Sequence, residues 1–212
     1  MDNENVENYI DAVLHHEEQK HNNEIIWVFT GSISIYLFDN YCIQGYAKKN
    51  NSQRLKTYKD IDIFSFKKNK LSYKASLTNF KITFNKITEV NLISEDHDPN
   101  SVYIDSLRNF HFEYIFPTVS DVVKIEYKNR IVYSVSPEYL IAFKVFGLLH
   151  YREKDLNHVI SIINSIDVDP SKILNICKKT PYHDFLEDIP SKHNLLNAIN
   201  SKVIFNELHG AI

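Results

Sequence analysis

The segment Asp60-Ile61-Asp62-Ile63-Phe64 alternates acidic and apolar residues with period two, the repeat of an extended strand. Such a strand needs a covered face under Ile61 and Ile63, and it sets both aspartates on the other face, about 6.5–7 Å apart along the backbone. Two carboxylates so placed repel each other unless a cation lies between them, and hard oxygen donors suit Mg²⁺. The plainer alternative is the solvent-facing side of a half-buried strand. Either way the chain must build a sheet around this segment.

At 212 residues the chain allows one or two domains. Apolar residues at 43% and charged residues at 24% exclude wholesale disorder and collagen-like repeats. A net charge of −3 gives no overall attraction to nucleic acid, so binding there would need a local basic patch. The stretch Lys48-Lys49 to Arg54 and Lys56 offers one, or is a solvated loop. Apolar runs such as Ile25 to Phe29 and Leu140 to Phe143 fall well short of the roughly 18 residues of a membrane span. The acidic start Met1-Asp2-Asn3-Glu4 is unlike a signal peptide. Cys42 and Cys177 are far apart and outside any metal-ligand spacing, which fits a reducing compartment. A cytoplasmic protein with no membrane partner is expected.

Along the chain, Val6, Ile10, Val13 and Leu14 have helical spacing within residues 1 to about 24. The run from Ile33 to Phe38 reads equally as helix or strand, and 67–86 is equally ambiguous. Residues 44–57 read as an exposed loop. Val90 to Ser94 and Val102 to Leu107 read as strands separated by a turn from Glu95 to Asn100. Val122 to Val135 reads as a hairpin around Lys128-Asn129-Arg130. Ser136-Pro137-Glu138 starts a helix, since Ser caps, Pro fits the first turn and Glu complements the positive helix end. Helical spacing then runs to about Ile163, and the remainder after Asp169-Pro170 is helical. The order predicts an α+β lobe over 1–135 followed by a helical lobe over 136–212.

Two further features bear on chemistry. Gly31-Ser32 follows an apolar run, where small residues let the backbone approach an anion and helix-start amides can hold phosphate oxygens; an ordinary turn is the alternative. On an unbroken helix, Lys144, Tyr151 and Asp155 fall within roughly 40° of one another, with Arg152 at the edge of that stripe. The plain reading of Lys144 is a solvated lysine.

In this order the features resemble the nucleotidyltransferase-fold superfamily that includes DNA polymerase beta, and within it the AbiEii-type abortive-infection and toxin nucleotidyltransferases. The resemblance rests on Phe29-Thr30-Gly31-Ser32, Lys59-Asp60-Ile61-Asp62-Ile63-Phe64, Ser136-Pro137-Glu138-Tyr139-Leu140-Ile141-Ala142-Phe143-Lys144 and Arg152-Glu153-Lys154-Asp155, and spans residues 27 to about 163. The chain departs from that pattern before the first aspartate, where Lys56 and Tyr58 stand, and at His158, where the group commonly has an aspartate.

The resemblance implies a mixed sheet flanked by helices and transfer of a nucleoside monophosphate from an NTP to an acceptor hydroxyl. It implies two Mg²⁺ ions held by Asp60, Asp62 and a third acid, for which Asp105 is preferred over Glu126 and Glu113. Gly31 and Ser32 would contact phosphates, with Lys144, Arg152 and Lys154 as cations for the pyrophosphate. Asp155 would orient Lys144 or Arg152, or hold the two lobes together. The acceptor in the toxin group can be the tRNA 3′ end, and a cognate antitoxin is an implied partner. An antibiotic nucleotidyltransferase and a catalytically silent binding module of the same fold are the alternatives.

Overall fold

The structure is a computed structural model and describes residues 3–20, 25–49, 60–67, 75–83, 86–96, 102–107, 110–115, 117–149 and 153–177. Helix α1 (Asn3–Lys20) leads into strand β1 (Ile25–Thr30), helix α2 (Gly31–Asn40) and the short β2 (Cys42–Ile43). There follow β3 (Asp60–Lys67), β4 (Ala75–Thr83), β5 (Lys86–Asp96), β6 (Val102–Leu107), β7 (Phe110–Ile115), β8 (Val122–Tyr127) and β9 (Arg130–Val135). Helices α3 (Pro137–Leu149), α4 (Glu153–Ser165) and α5 (Pro170–Cys177) close the described chain. The protein is a mixed α/β structure, and the helical expectation beyond residue 177 lies outside the described residues.

A mixed seven-stranded sheet has the order β2-β8-β9-β1-β3-β4-β5, and β6 and β7 pair in a separate two-stranded sheet. Central β1 runs parallel to β9 and antiparallel to β3. Its apolar run suits a strand covered on both faces, and the adjacent Val28 and Phe29, which point to opposite faces, are both buried.

Strand β3 is covered more fully than its alternation predicts. Ile61 and Ile63 are buried on one face, but Phe64, on the aspartate face, is only 1% exposed. The Phe64 ring meets Tyr139 of α3 edge-on, with centroids 6.2 Å apart. Phe80, the β4 partner of Ile61, meets His16 of α1 at 5.9 Å. Helix α1 therefore covers one face of the sheet and α3 the other, so Asp62 lies on the α3 face.

The ambiguous run from Ile33 to Phe38 is helical. Ile33, Ser34, Ile35, Tyr36, Leu37 and Phe38 are all buried, and a helix covered all round shows no amphipathic stripe to read. Of the segment 67–86, the described residues 67, 75–83 and 86 are the end of β3, β4 and the start of β5. Strand β5 runs on through Glu95 and Asp96, which were expected to turn. The β8–β9 hairpin closes as expected through Lys128 and Asn129, whose φ values of 45° and 64° make a two-residue loop with the twist of its strands.

Helix α3 starts as its sequence predicts: the Tyr139 amide donates to Ser136 Oγ at 3.1 Å. The apolar spacing to Ile163, however, comprises two helices. Helix α3 ends at Leu149 and α4 begins at Glu153. Helix α5 opens on Pro170, and the Ser171 amide donates to Asp169 Oδ1 at 2.8 Å. Buried residues of α3, α4 and α5 join those of the sheet, α1 and α2 in one apolar cluster. No helix among the described residues is long and apolar enough to cross a membrane.

Candidate functional site

Strand β1 passes into α2 without a loop. Thr30 is still extended (φ −140°, ψ −176°), and Gly31 takes a left-handed φ of +66°. That conformation alone favours glycine. A Cβ at residue 31 would also lie 3.0 Å from Asp62 Oδ2, so a side chain there would press on that carboxylate as well as strain the backbone. Thr30 pairs with Asp62 across β1 and β3. The register thus brings Gly31, Ser32 in the first turn of α2 and the Asp62 carboxylate to one end of the sheet. Thr30 makes no side-chain cap to α2, and the first turn contains no acid of its own. The partial positive charge of the helix start therefore faces Asp62 from close range.

Asp60 opens the same strand two residues away, on the face of Asp62 by the alternation of β3. The residues opposite the pair on β4 are Lys81 for Asp60 and Asn79 for Asp62. Asp105 lies on β6, which pairs with β7 in the separate sheet, so its strand is not a sheet neighbour of β3. Glu126 is exposed on β8, three strands from β3 and hence about 14 Å to the side at ~4.8 Å per strand. Glu113 sits on β7 opposite Ile104. Of the expected metal ligands, the side chains of Asp60 and Asp105 lie outside the described residues. Among the described residues, no group of three or more His, Cys, Asp or Glu could hold a metal ion. What fits a divalent cation is the donor chemistry of Asp60 and Asp62, while the missing side chain of Gly31 lets the Asp62 carboxylate come close to the helix start.

Lys144 and Asp155 meet, but across two packed helices. Lys144 Nζ on α3 donates to Asp155 Oδ1 on α4 at 3.0 Å, and the two residues are 6% and 1% exposed. The solvated-lysine reading of Lys144 is therefore excluded. Its ammonium also lies 6.0 Å from the Phe143 ring centroid. His158 Nδ1 stands 3.7 Å from the same Asp155 oxygen, at the position where the resembled group has an acid. Arg152 and the side chain of Lys154 lie outside the described residues.

The sequence reading missed the partner of Glu138. Instead of serving only the helix start, buried Glu138 accepts the Tyr46 hydroxyl at 2.5 Å and the Asp169 amide at 3.1 Å. Burial, and then the Glu138 carboxylate, push the Tyr46 pKa well above that of an ordinary phenol. No spacing signals this bond, since Tyr46 and Glu138 are 92 positions apart. The same loop is stitched to the end of α4 by Lys49 N–H to Ser165 O at 2.8 Å and Asp167 N–H to Ala47 O at 3.1 Å. Lys48 and Lys49, which the sequence offers as a basic patch or a solvated loop, donate to the carbonyls of Asp39 and Ile163 at 3.2 and 3.1 Å. Arg54 and Lys56 lie outside the described residues.

No protein-family model, curated protein or solved structure matches the chain.

Proposed function

We propose that this chain is a metal-dependent nucleotidyltransferase that moves a nucleoside monophosphate from an NTP to an acceptor hydroxyl, with the 3′ end of a tRNA as acceptor and a toxin role restrained by a cognate antitoxin. The observation that carries the reading is the junction at Gly31, where a helix start that Thr30 does not cap abuts the carboxylate of an Asp-x-Asp strand. A helix start offers amides to phosphate oxygens, while the carboxylate pair offers ligands to Mg²⁺.

In this reading Gly31 and Ser32 bind the terminal phosphates through backbone amides. Asp60 and Asp62 would hold the cation, which supplies Lewis-acid activation and charge neutralisation at the α-phosphate. The acceptor oxygen forms its bond to the α-phosphorus as the bond to the β-phosphate oxygen breaks, and pyrophosphate leaves. The acceptor proton passes to a third carboxylate, for which Asp105 is the candidate. Lys144, held in a fixed direction by Asp155, contributes positive charge toward the departing pyrophosphate, with Arg152 and Lys154 behind it.

The test is to incubate the purified chain with Mg²⁺, total RNA and each α-labelled NTP in turn. Label appearing at RNA 3′ ends supports the reading. Label found only on added aminoglycoside or lincosamide would move it to the antibiotic branch, and no transfer to any acceptor would favour the silent binding module.

A further inference from the structure

Thr30 ends β1 and stands at the N-cap of α2. A threonine there ordinarily gives its hydroxyl to the second or third amide of the helix, yet Thr30 makes no such bond. The residue is 3% exposed, and its Oγ1 is buried with no hydrogen-bond partner. A buried hydroxyl without a partner is destabilising, and valine would fill the same volume without that cost. Its presence calls for a state of the protein that uses it.

Directly across the sheet stands Asp62. Opposed residues of antiparallel strands have Cβ atoms about 4.5–5.5 Å apart, a gap that one O–H···O bond between threonine and aspartate spans. The Asp62 carboxylate lies against the very next residue, with Oδ2 3.0 Å from where a Cβ of residue 31 would be. Branching at Cβ also restricts the hydroxyl to few directions.

We propose that Thr30 is a positioning residue for Asp62: when Asp62 takes a divalent cation, the Thr30 hydroxyl donates to the carboxylate oxygen that does not ligate it. This inference rests on the metal reading of Asp60 and Asp62. A donor on the second oxygen limits the rotation of a carboxylate bound at the first. Outer partners of this kind are worth about 10–100-fold in metal affinity.

The experiment compares the wild-type chain with Thr30→Val, Thr30→Ser and Asp62→Asn, by Mn²⁺ titration followed by electron paramagnetic resonance and by urea unfolding without metal. Without metal, Thr30→Val is expected to be as stable as wild type or more so, because it loses only an unpaired hydroxyl. Its Mn²⁺ affinity is expected to fall by about tenfold or more, and Thr30→Ser, which keeps the donor, is expected to restore most of it. Thr30→Val binding Mn²⁺ like wild type while Asp62→Asn binds weakly would overturn the role of Thr30 and leave the site intact. Asp62→Asn binding like wild type, or a wild-type chain that binds no Mn²⁺, would overturn the metal reading and the Thr30 role together. A metal-free Thr30→Val that unfolds readily would show the hydroxyl already satisfied, and would also overturn the proposal.

Discussion

Two polar regions of this molecule are built on opposite principles. Where α1 meets the β8–β9 hairpin, the charges of Glu7, Asp11, Lys128 and Arg130 answer one another. Glu7 accepts the hydroxyls of Tyr36 and Tyr41 and pairs with Lys128 at 2.9 Å. Asp11 pairs with Lys128 at 2.9 Å and Arg130 at 2.6 Å, and both cations lie over the Tyr127 ring. The Tyr127 hydroxyl donates to the Glu7 carbonyl at 3.2 Å. At the end of β1, by contrast, a buried hydroxyl is unpaired and a glycine is held left-handed beside a carboxylate. A network that satisfies itself serves the fold. An unpaired buried hydroxyl does not serve the fold in that way, and such departures concentrate at functional sites.

The contrast can be tested first at its most buried point. Lys144 and Asp155 pair in the α3–α4 interface, so Asp155→Ala should strand an ammonium there and cost about 3–5 kcal/mol in urea unfolding. A cost near zero would mean that Lys144 escapes to water and that the two helices do not depend on it.

Gly31→Ala comes next. The left-handed backbone alone should cost about 1–2 kcal/mol, and the new methyl should press on Asp62. The expected outcome is a modest loss of thermal stability with a disproportionate loss of Mn²⁺ binding. Equal losses in both would make Gly31 an ordinary turn glycine.

The smallest effect lies in the pH dependence of the α1 anchor. Burial pushes the Glu7 carboxyl up, but the hydrogen bonds of Tyr41, Lys128 and Tyr36 together with the Lys128 charge outweigh it, leaving the group below its ordinary 4.5. Burial first, and then Glu7, push the Tyr36 hydroxyl up to about 12. Since the Glu7 pKa is lowered in the folded state, its stabilisation is present above pH 4.5 and is lost as pH falls from there through the folded value. Glu7→Gln should therefore be less stable than wild type at neutral pH, with the two curves converging in acid. Parallel curves throughout would remove Glu7 from the anchor.

Much of this organisation is written locally and some of it is not. The β3 alternation, the hairpin and the Ser136 cap are legible because each depends on neighbours within a few residues. Helix α2 is not, because burial on nearly every side removes the periodicity that would mark it. Gly31 and Asp62 could be named as site residues from their motifs, but their contact depends on the β1–β3 register. The alternation of β3 gave one buried face, and the second appears only once α3 packs Tyr139 on Phe64. Helical spacing puts Lys144 and Asp155 on one face of a single unbroken helix. They do meet, through the packing of two helices. Thr30 belongs to the same motif as Gly31, but its unpaired hydroxyl depends on packing that no local pattern signals.

The central claim is that the Gly31–Asp62 junction is a metal-assisted phosphoryl site. Its most direct test is transfer of α-labelled nucleotide by Asp62→Asn beside wild type, with the fold of both checked by circular dichroism. The change keeps volume and removes the ligating charge, so a folded protein with transfer abolished is the result predicted here. A folded Asp62→Asn that transfers label at the wild-type rate would contradict it.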